Sequence, residues 1–217
     1  MADPASVPSP LRVMMFLDFW NFQLGMREVE DKWRADYKKL PWALLAAAKD
    51  MLQSPAGVSL AGLKVYGSYD PASQTEVGLH RWATTVLPRF PGVSTEFAER
   101  QKKKSGAKCP GCHFEVRTCP SCGHSMLGTG EKGVDTRIAT DMVSKAWEGA
   151  YDVAVLISSD RDFVPVCSFL QAKGIIVIHG SIGYSGAVVS AACWGQIDLL
   201  AIKEEFRLPY QPPAAVV

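Results

Sequence analysis

Short apolar runs alternate with stretches of helical character along this 217-residue chain, and the alternation limits the folds open to it. The clearest runs are residues 12–17, 153–157 and 175–178. Uninterrupted apolar runs of this length are typical of strands that helices cover on both faces, as in a parallel sheet. Strands that alternate with helices form βαβ units with right-handed crossovers. The sequence therefore predicts an α/β fold, a three-layer α/β/α sandwich around a mainly parallel sheet.

The predicted elements divide the chain into a core and one interruption. Strands are expected at residues 12–17, 63–69, 93–97, 153–157 and 175–178, and helices at 40–52, 74–87, 134–149, 163–172 and 185–194, while 197–202 fits a strand or a helix. Between 101 and 130 the hydrophobic period disappears. We predict a flexible leader over 1–10, a core domain over 11–205 that this insertion interrupts, and a flexible tail over 206–217.

Composition excludes several classes of protein. Hydrophobic residues make up 47% of the chain, which is enough to bury a core and excludes disorder as the main state. No apolar stretch approaches the about 20 residues of a membrane span. The first ten residues lack the charged start and apolar centre of a signal peptide, so a cytoplasmic location is expected. The net charge is +1, so any basic site must be local.

Carboxylates follow two separate predicted strands. Asp18 ends the first strand and Asn21 comes three residues later, while Asp160 and Asp162 follow the strand at 153–157. Since ligands of open parallel sheets bind outside the carboxyl ends of the strands, we expect these side chains at one edge. The alternative is that each Asp only caps a helix or forms a turn.

A predicted helix that begins near Asp135 starts at the same edge and carries two further carboxylates. On a helical wheel Asp135 lies in line with the apolar face, whereas Asp141 lies roughly 120° away and about 9 Å further along the axis. Helical geometry therefore favours Asp135. Carboxylates gathered without basic partners repel one another unless a cation intervenes, and Mg²⁺ or Mn²⁺ prefers such oxygen ligands. A metal ion held there can activate water for attack on a phosphate.

Three segments of the chain carry a family resemblance. They are Phe16-Leu-Asp18-Phe-Trp-Asn21, then Lys132-Gly-Val-Asp135 followed by Asp141, then Ser158-Ser-Asp160-Arg-Asp162-Phe163-Val-Pro. In this order and spacing they resemble the NYN domain, a branch of the PIN-like nuclease superfamily. The resemblance covers about residues 12–200, and it implies a PIN-like fold and metal-dependent hydrolysis of phosphodiester bonds, most often in RNA.

The resemblance also implies a catalytic group. Carried over by position, the metal ligands are Asp18, Asp160 and one or both of Asp135 and Asp141, with Asp162 and Asn21 in support. The spacing in PIN-like domains favours Asp141, which conflicts with the helical wheel, so both remain candidates. Arg161 stands where the family usually has a small residue. It either contacts a phosphate or points to solvent, and Lys132 presents the same choice.

Four cysteines in the insertion form two CxxC pairs separated by six residues. We predict that Cys109, Cys112, Cys119 and Cys122 close one tetrahedral Zn²⁺ site. Four thiolates leave no open position for water, so the role of this zinc is structural: it folds a loop that lacks a core. Free thiols, a disulfide or four-thiolate iron are the alternatives, and His113 and His124 are substitute ligands.

Basic residues surround these cysteines and predict contacts with nucleic acid. The predicted RNA-binding residues are Lys102, Lys103, Lys104, Lys108, Arg117, Lys132 and Arg161. Cations on a loop add affinity for phosphates that is independent of base sequence, and Phe114 or His113 could stack on an exposed base. The alternative is that these basic residues form a flexible, solvated segment that does not bind nucleic acid. Trp33, Tyr37 and Trp42 are expected to cover the sheet; a second contact with nucleic acid is the alternative, because Lys32, Arg34, Lys38 and Lys39 lie close to them in the sequence.

Together these features favour a metal-dependent endoribonuclease acting on single-stranded RNA. The alternative is a module with the same fold that binds RNA or a protein without cutting. Aspartyl-phosphate chemistry needs an Asp two residues after Asp18, where the chain has Trp20. The Gly- and Ser-rich residues 179–186 are expected to line the rim of the site.

Overall fold

The computed structural model describes residues 9–103, 105–130 and 133–209. The strands of this part are β1 (Leu11–Asp18), β2 (Val58–Tyr69), β3 (Val93–Glu99), β4 (Gln101–Lys102), β5 (Ala107–Lys108), β6 (Glu115–Val116), β7 (Thr129–Gly130), β8 (Val153–Ile157), β9 (Ile176–Ser181) and β10 (Gly195–Asp198). The helices are α1 (Phe19–Val29), α2 (Leu40–Leu52), α3 (Gln74–Thr85), α4 (Val134–Trp147), α5 (Val164–Ala172), α6 (Ala187–Ala192) and α7 (Leu199–Ile202). Short 3₁₀ helices occupy Leu87–Arg89 and Arg161–Phe163.

Six strands form one parallel sheet in the order β10-β9-β8-β1-β2-β3. β1 lies inside the sheet, between β8 and β2, which explains its continuous apolar sequence. Asp18, its last residue, pairs with Tyr66 of β2, while Leu17 pairs with Ile157 of β8. The carboxyl ends of these neighbouring strands thus share one edge.

Alternate residues of β1 face two helical layers. Met15 belongs to a core with residues of α1 and α2, whereas Phe16 belongs to a second core with residues of α4 and α5. Helices therefore cover both faces of the sheet, and the predicted α/β sandwich is confirmed. Residues 197–202, which fit either element, divide into the end of β10 and the whole of α7.

Two predictions about the elements need correction. Helix α1 begins directly after β1 and was missed, because Asp18 both ends the strand and caps the helix by accepting a hydrogen bond from the Asn21 backbone N–H at 3.1 Å. The flexible tail was predicted to begin at residue 206, but Phe206 is completely buried and so belongs to the core. Its ring packs edge-on against Trp33 with centroids 5.5 Å apart.

The insertion at 101–130 is built differently from the core. Its strands form two small antiparallel ladders, β4 with β7 and β5 with β6. None of its residues whose burial is described is buried. Separately, no helix in the described ranges is long and apolar enough to cross a membrane.

Candidate active site

Asp18 occupies the carboxyl end of β1, where its side chain is 6% exposed. One carboxylate oxygen accepts the Asn21 backbone N–H that caps α1. The other accepts a hydrogen bond from the Ser158 hydroxyl at 3.3 Å, across from β1 to the loop after β8. Asp18 thus serves as a helix cap and also reaches the end of the neighbouring strand. The capping interpretation is confirmed, and its role in a functional site stays a prediction.

Asn21 and Ser158 connect the loop after β8 to helix α1. The Asn21 side-chain carbonyl accepts the backbone N–H of Ser159 at 2.8 Å. The Asp160 backbone N–H donates to the Ser158 hydroxyl at 3.4 Å, and the Asp160 carboxylate accepts the N–H of Asp162 at 2.9 Å, opening a 3₁₀ turn. The structure therefore brings Asp18, Asn21 and Asp160 into one hydrogen-bonded edge, while Asp162 is exposed.

The two helical carboxylates occupy different environments. Asp135 lies in the first turn of α4 and is exposed, although the wheel aligned it with the buried face, whereas its neighbour Val134 is buried in the core. Asp141 lies deeper against β2, where it forms an ion pair with Lys64 and accepts a hydrogen bond from the Tyr66 hydroxyl at 2.8 Å.

The pairing of Asp141 keeps it ionised. Burial opposes its charge most strongly, but the hydrogen bonds from Lys64 and Tyr66 together hold the pKa of Asp141 below its usual range. Burial, with the hydrogen bond to Asp141, raises the pKa of Tyr66, which therefore stays protonated as a donor. The negative charge of Asp141 is thus already balanced by a lysine within the fold.

His179 of β9 contacts the loop after β8 that carries Asp160. The sequence did not predict this contact, since it placed His179 only in a segment at the rim of the site. Its Nε2 lies 3.0 Å from the Ser158 carbonyl and its Nδ1 lies 2.7 Å from the Ser190 hydroxyl. A carbonyl can only accept, so Nε2 carries the proton and Nδ1 accepts from Ser190. Burial lowers the pKa of His179, which favours this neutral form.

Gly186 allows this close packing. A Cβ atom there would lie 2.7 Å from Cε1 of His179 and 3.0 Å from Cα of Ser159, and its φ of 77° favours glycine. The Gly- and Ser-rich composition of 179–186 was the available sequence signal. Glycine is required at position 186 because His179 and Ser159 leave no room for a Cβ atom.

Trp20 and Arg100 form a second cluster beside Asp18, through a contact that the sequence did not predict. The Trp20 indole N–H donates to the Ser68 carbonyl at 2.6 Å, and the Arg100 guanidinium lies 5.2 Å from the indole centroid. Arg100 also donates to the Ser68 hydroxyl at 2.8 Å and pairs with Glu76 at 3.3 Å. Arg100 immediately precedes β4, so the base of the insertion is attached to the candidate site.

The two CxxC segments adopt matching turns. The backbone N–H of Cys109 donates to the Phe114 carbonyl at 2.9 Å, and that of Cys119 donates to the His124 carbonyl at 2.8 Å. In each turn the residue after the second cysteine, His113 or Gly123, has positive φ. Hydrogen bonds from the backbone N–H groups of the turns lower the pKa of both Cys109 and Cys119, which favours thiolates.

The side chains that the structure describes do not form the predicted metal sites. All six cysteines are free thiols. Within residues 9–103, 105–130 and 133–209, no three His, Cys, Asp or Glu side chains are gathered closely enough to hold a metal ion. The structure thus presents two separate cysteine turns, and carboxylates that share an edge without converging as a group of three.

The predicted RNA contacts are surface residues wherever they are described. Lys102, Lys103, Lys108, Arg117 and Arg161 are exposed. Arg117 forms an ion pair with Glu115 at 2.7 Å, which partly offsets its charge. Lys104 and Lys132 lie outside the described residues. Phe114, the candidate for stacking, is 69% exposed.

Comparisons with known proteins agree with the fold. A model of the NYN domain matches residues 12–199 of this chain. The curated proteins include no match. Among solved structures, a protein of unknown function from Vibrio parahaemolyticus RIMD 2210633 has a TM-score of 0.58 at 15% sequence identity, and the match covers 94% of this chain and 99% of that one. A likeness at this identity shows the fold alone.

Proposed function

Because the chain belongs to the NYN domain family, which implies a PIN-like fold of nuclease type, we propose that it is a metal-dependent endoribonuclease acting on single-stranded RNA. The observation that carries the proposal is the edge at which Asp18, Asn21 and Asp160 are linked by hydrogen bonds through Ser158 and Ser159. Residues from α1 and from the loop after β8 are held there in one arrangement.

The carboxylates of this edge suit Mg²⁺ or Mn²⁺ because their donor atoms are hard oxygens. Asp18 and Asp160 would hold the ion, together with one or both of Asp135 and Asp141 from α4. Asp141 would have to exchange its ion pair with Lys64 for the metal. When bound, the ion would polarise a phosphate and activate water. Asn21 and His179 orient the loop that carries Asp160, and the Asp160 carboxylate caps the 3₁₀ turn by accepting the Asp162 backbone N–H.

In this proposal a structural Zn²⁺ joins the two cysteine turns of the insertion. The lowered pKa of Cys109 and of Cys119 suits metal binding, which requires thiolates. The two turns must approach one another to bring all four sulfurs to one ion. We expect about one zinc per chain by elemental analysis. Retention of zinc after Cys109→Ser with Cys119→Ser would contradict a four-thiolate site.

The insertion then acts as an RNA-binding arm beside the active edge. Its exposed lysines, together with Arg161 near Asp160, would neutralise phosphates, so RNA affinity should fall as salt rises. Reversing the charge of Lys102, Lys103 and Lys104 should reduce that salt dependence. An unchanged salt slope in the variant would remove the insertion from the RNA contact.

Cleavage of labelled single-stranded RNA with Mn²⁺ tests the activity itself. Asp160→Asn should reduce the rate by at least about 100-fold, because the carboxylate charge is lost from the edge. Asp152→Asn is the matched control, since Asp152 pairs with Arg12 at the opposite end of β8. RNA binding without cleavage by the unchanged protein would instead favour the non-catalytic module. Equal rates of cleavage in the unchanged protein and Asp160→Asn would contradict the proposed active site, because the activity would then not depend on Asp160.

A further inference from the structure

A cavity of about 470 Å³ lies between α1, α3 and the segment that leads into α2. We name it the α1–α3 pocket. Four aromatic side chains line it, namely Phe19, Tyr37, Trp82 and Phe90. The Trp82 and Tyr37 rings meet edge-to-face with centroids 5.6 Å apart. The volume falls within the about 300–1,000 Å³ of small-molecule sites, and the lining offers flat apolar surface to a planar ligand.

Two buried polar groups of the pocket retain hydrogen-bonding capacity. Gln23 is 7% exposed and donates through Nε2 to the Tyr37 hydroxyl oxygen at 2.9 Å. Among the residues that the structure describes, nothing donates to the Gln23 side-chain oxygen, and the Tyr37 hydroxyl has no acceptor for its hydrogen. Burial raises the pKa of Tyr37, so it keeps that hydrogen. One acceptor and one donor therefore remain beside the aromatic rings.

Two arginines add positive charge to the same pocket. Arg27, in the last turn of α1, and Arg34 both line it and are exposed. Over the described ranges, neither guanidinium has an ion-pair partner, whereas Arg207 pairs with Glu30 at 2.6 Å. The lining also includes Asp36, whose carboxylate accepts the Lys38 backbone N–H at 3.0 Å. The unpaired arginines suit a ligand that carries phosphate.

We propose that the α1–α3 pocket binds a nucleotide, with the base against Trp82 and Phe90 and the phosphate near Arg27 and Arg34. A base offers a planar ring with donor and acceptor edges, which matches the aromatic lining and the free positions on Gln23 and Tyr37. Because Phe19 directly follows Asp18, the pocket begins beside the candidate active edge. The nucleotide is either free in solution or one unit of an RNA strand, and binding requires no cleavage.

Calorimetry with the full chain, without added Mg²⁺ or Mn²⁺, tests the pocket with three probes. These are adenosine monophosphate, a 5′-phosphorylated tetra-adenylate and inorganic phosphate. Arg27→Gln with Arg34→Gln should weaken nucleotide binding by at least about tenfold, since two charge-assisted contacts are lost. Arg81→Gln with Arg89→Gln is the matched control, because it makes the same charge change at exposed residues outside the lining.

The probes separate the two sources of the nucleotide. Binding of the monophosphate that depends on the pocket arginines identifies a site for free nucleotides. Binding of the tetranucleotide alone, with the same dependence, identifies a contact with an RNA strand. Equal weakening by the two double variants would overturn the proposal, as would inorganic phosphate that binds as tightly as the nucleotides, or no binding of any probe.

A second variant tests the base separately from the phosphate. Trp82→Leu should weaken binding of the nucleotide by about tenfold, through lost stacking, and leave inorganic phosphate unaffected. Circular dichroism establishes whether this variant folds, and the arginine variants at exposed positions decide the question if it does not. Failure of RNA cleavage would contradict the nuclease but leave this result intact, because binding is measured without the catalytic metal.

Discussion

The core and the insertion at 101–130 are held together in different ways. In the core, β1 is buried between two helical layers and apolar side chains such as Phe16 are completely covered. In the insertion no residue of described burial is buried, and backbone hydrogen bonds around the cysteine turns maintain its shape. The same type of substitution should therefore lower the free energy of unfolding more in the core than in the insertion, because burial provides most of the stability of a fold.

The largest difference is expected for loss of a phenylalanine ring. Phe206→Ala should lower the free energy of unfolding by about 3–5 kcal/mol, because the ring is fully buried against Trp33. Phe114→Ala, in the insertion, should change it by less than about 0.5 kcal/mol. Urea denaturation measures both. Similar losses for the two variants would mean that the insertion contributes a core of its own.

A smaller effect is expected where a polar group of the core loses a partner. Tyr66→Phe removes the hydroxyl that donates to Asp141, and we expect a loss of about 1–2 kcal/mol because the carboxylate keeps Lys64. Tyr184→Phe, at a side chain that is 99% exposed, is the control. Equal stability of the two variants would show that Lys64 alone satisfies Asp141.

The pH dependence of the core should include Glu30. Hydrogen bonds from Arg207 and Lys203 lower the pKa of Glu30 to about 2. A depressed folded-state pKa means that the stabilisation is complete above the unfolded value near about 4.5 and disappears as pH falls toward 2. Glu30→Gln should therefore have a lower Tm than the unchanged protein at pH 7, with the gap closing between about pH 4.5 and 2. A gap that stays constant would contradict the assignment.

The smallest effect on the core is expected from the cysteines. Cys109→Ser with Cys119→Ser should change the free energy of unfolding of the core by less than about 0.5 kcal/mol, since these turns bury nothing against the sheet. Hydrogen exchange should accelerate at the turn amides, such as that of His113, while β8 stays protected. Faster exchange in β8 would show that the two regions unfold together.

Much of the candidate site follows from local patterns. Asp18 and Asp160 were placed at one edge because each follows an apolar strand and parallel strands end together. His179 could not be found in this way, since a histidine inside an apolar strand gives no sign of which carbonyl it meets. Trp20 and Arg100 belong to separate segments, and only the pairing of β2 with β3 brings Arg100 to the indole.

By itself, the sequence determined the alternation of strands and helices, the carboxylates at the strand ends and the paired cysteines of the insertion. Hydrophobic periodicity predicts which residues are buried, and turn residues predict where a helix or strand ends. Only the tertiary structure decided which groups meet: Asn21 with Ser159, 138 residues apart, and Asp141 with Lys64, 77 residues apart. The physical reason is that burial can be supplied by any apolar neighbour, whereas a hydrogen bond or an ion pair requires one partner at one distance.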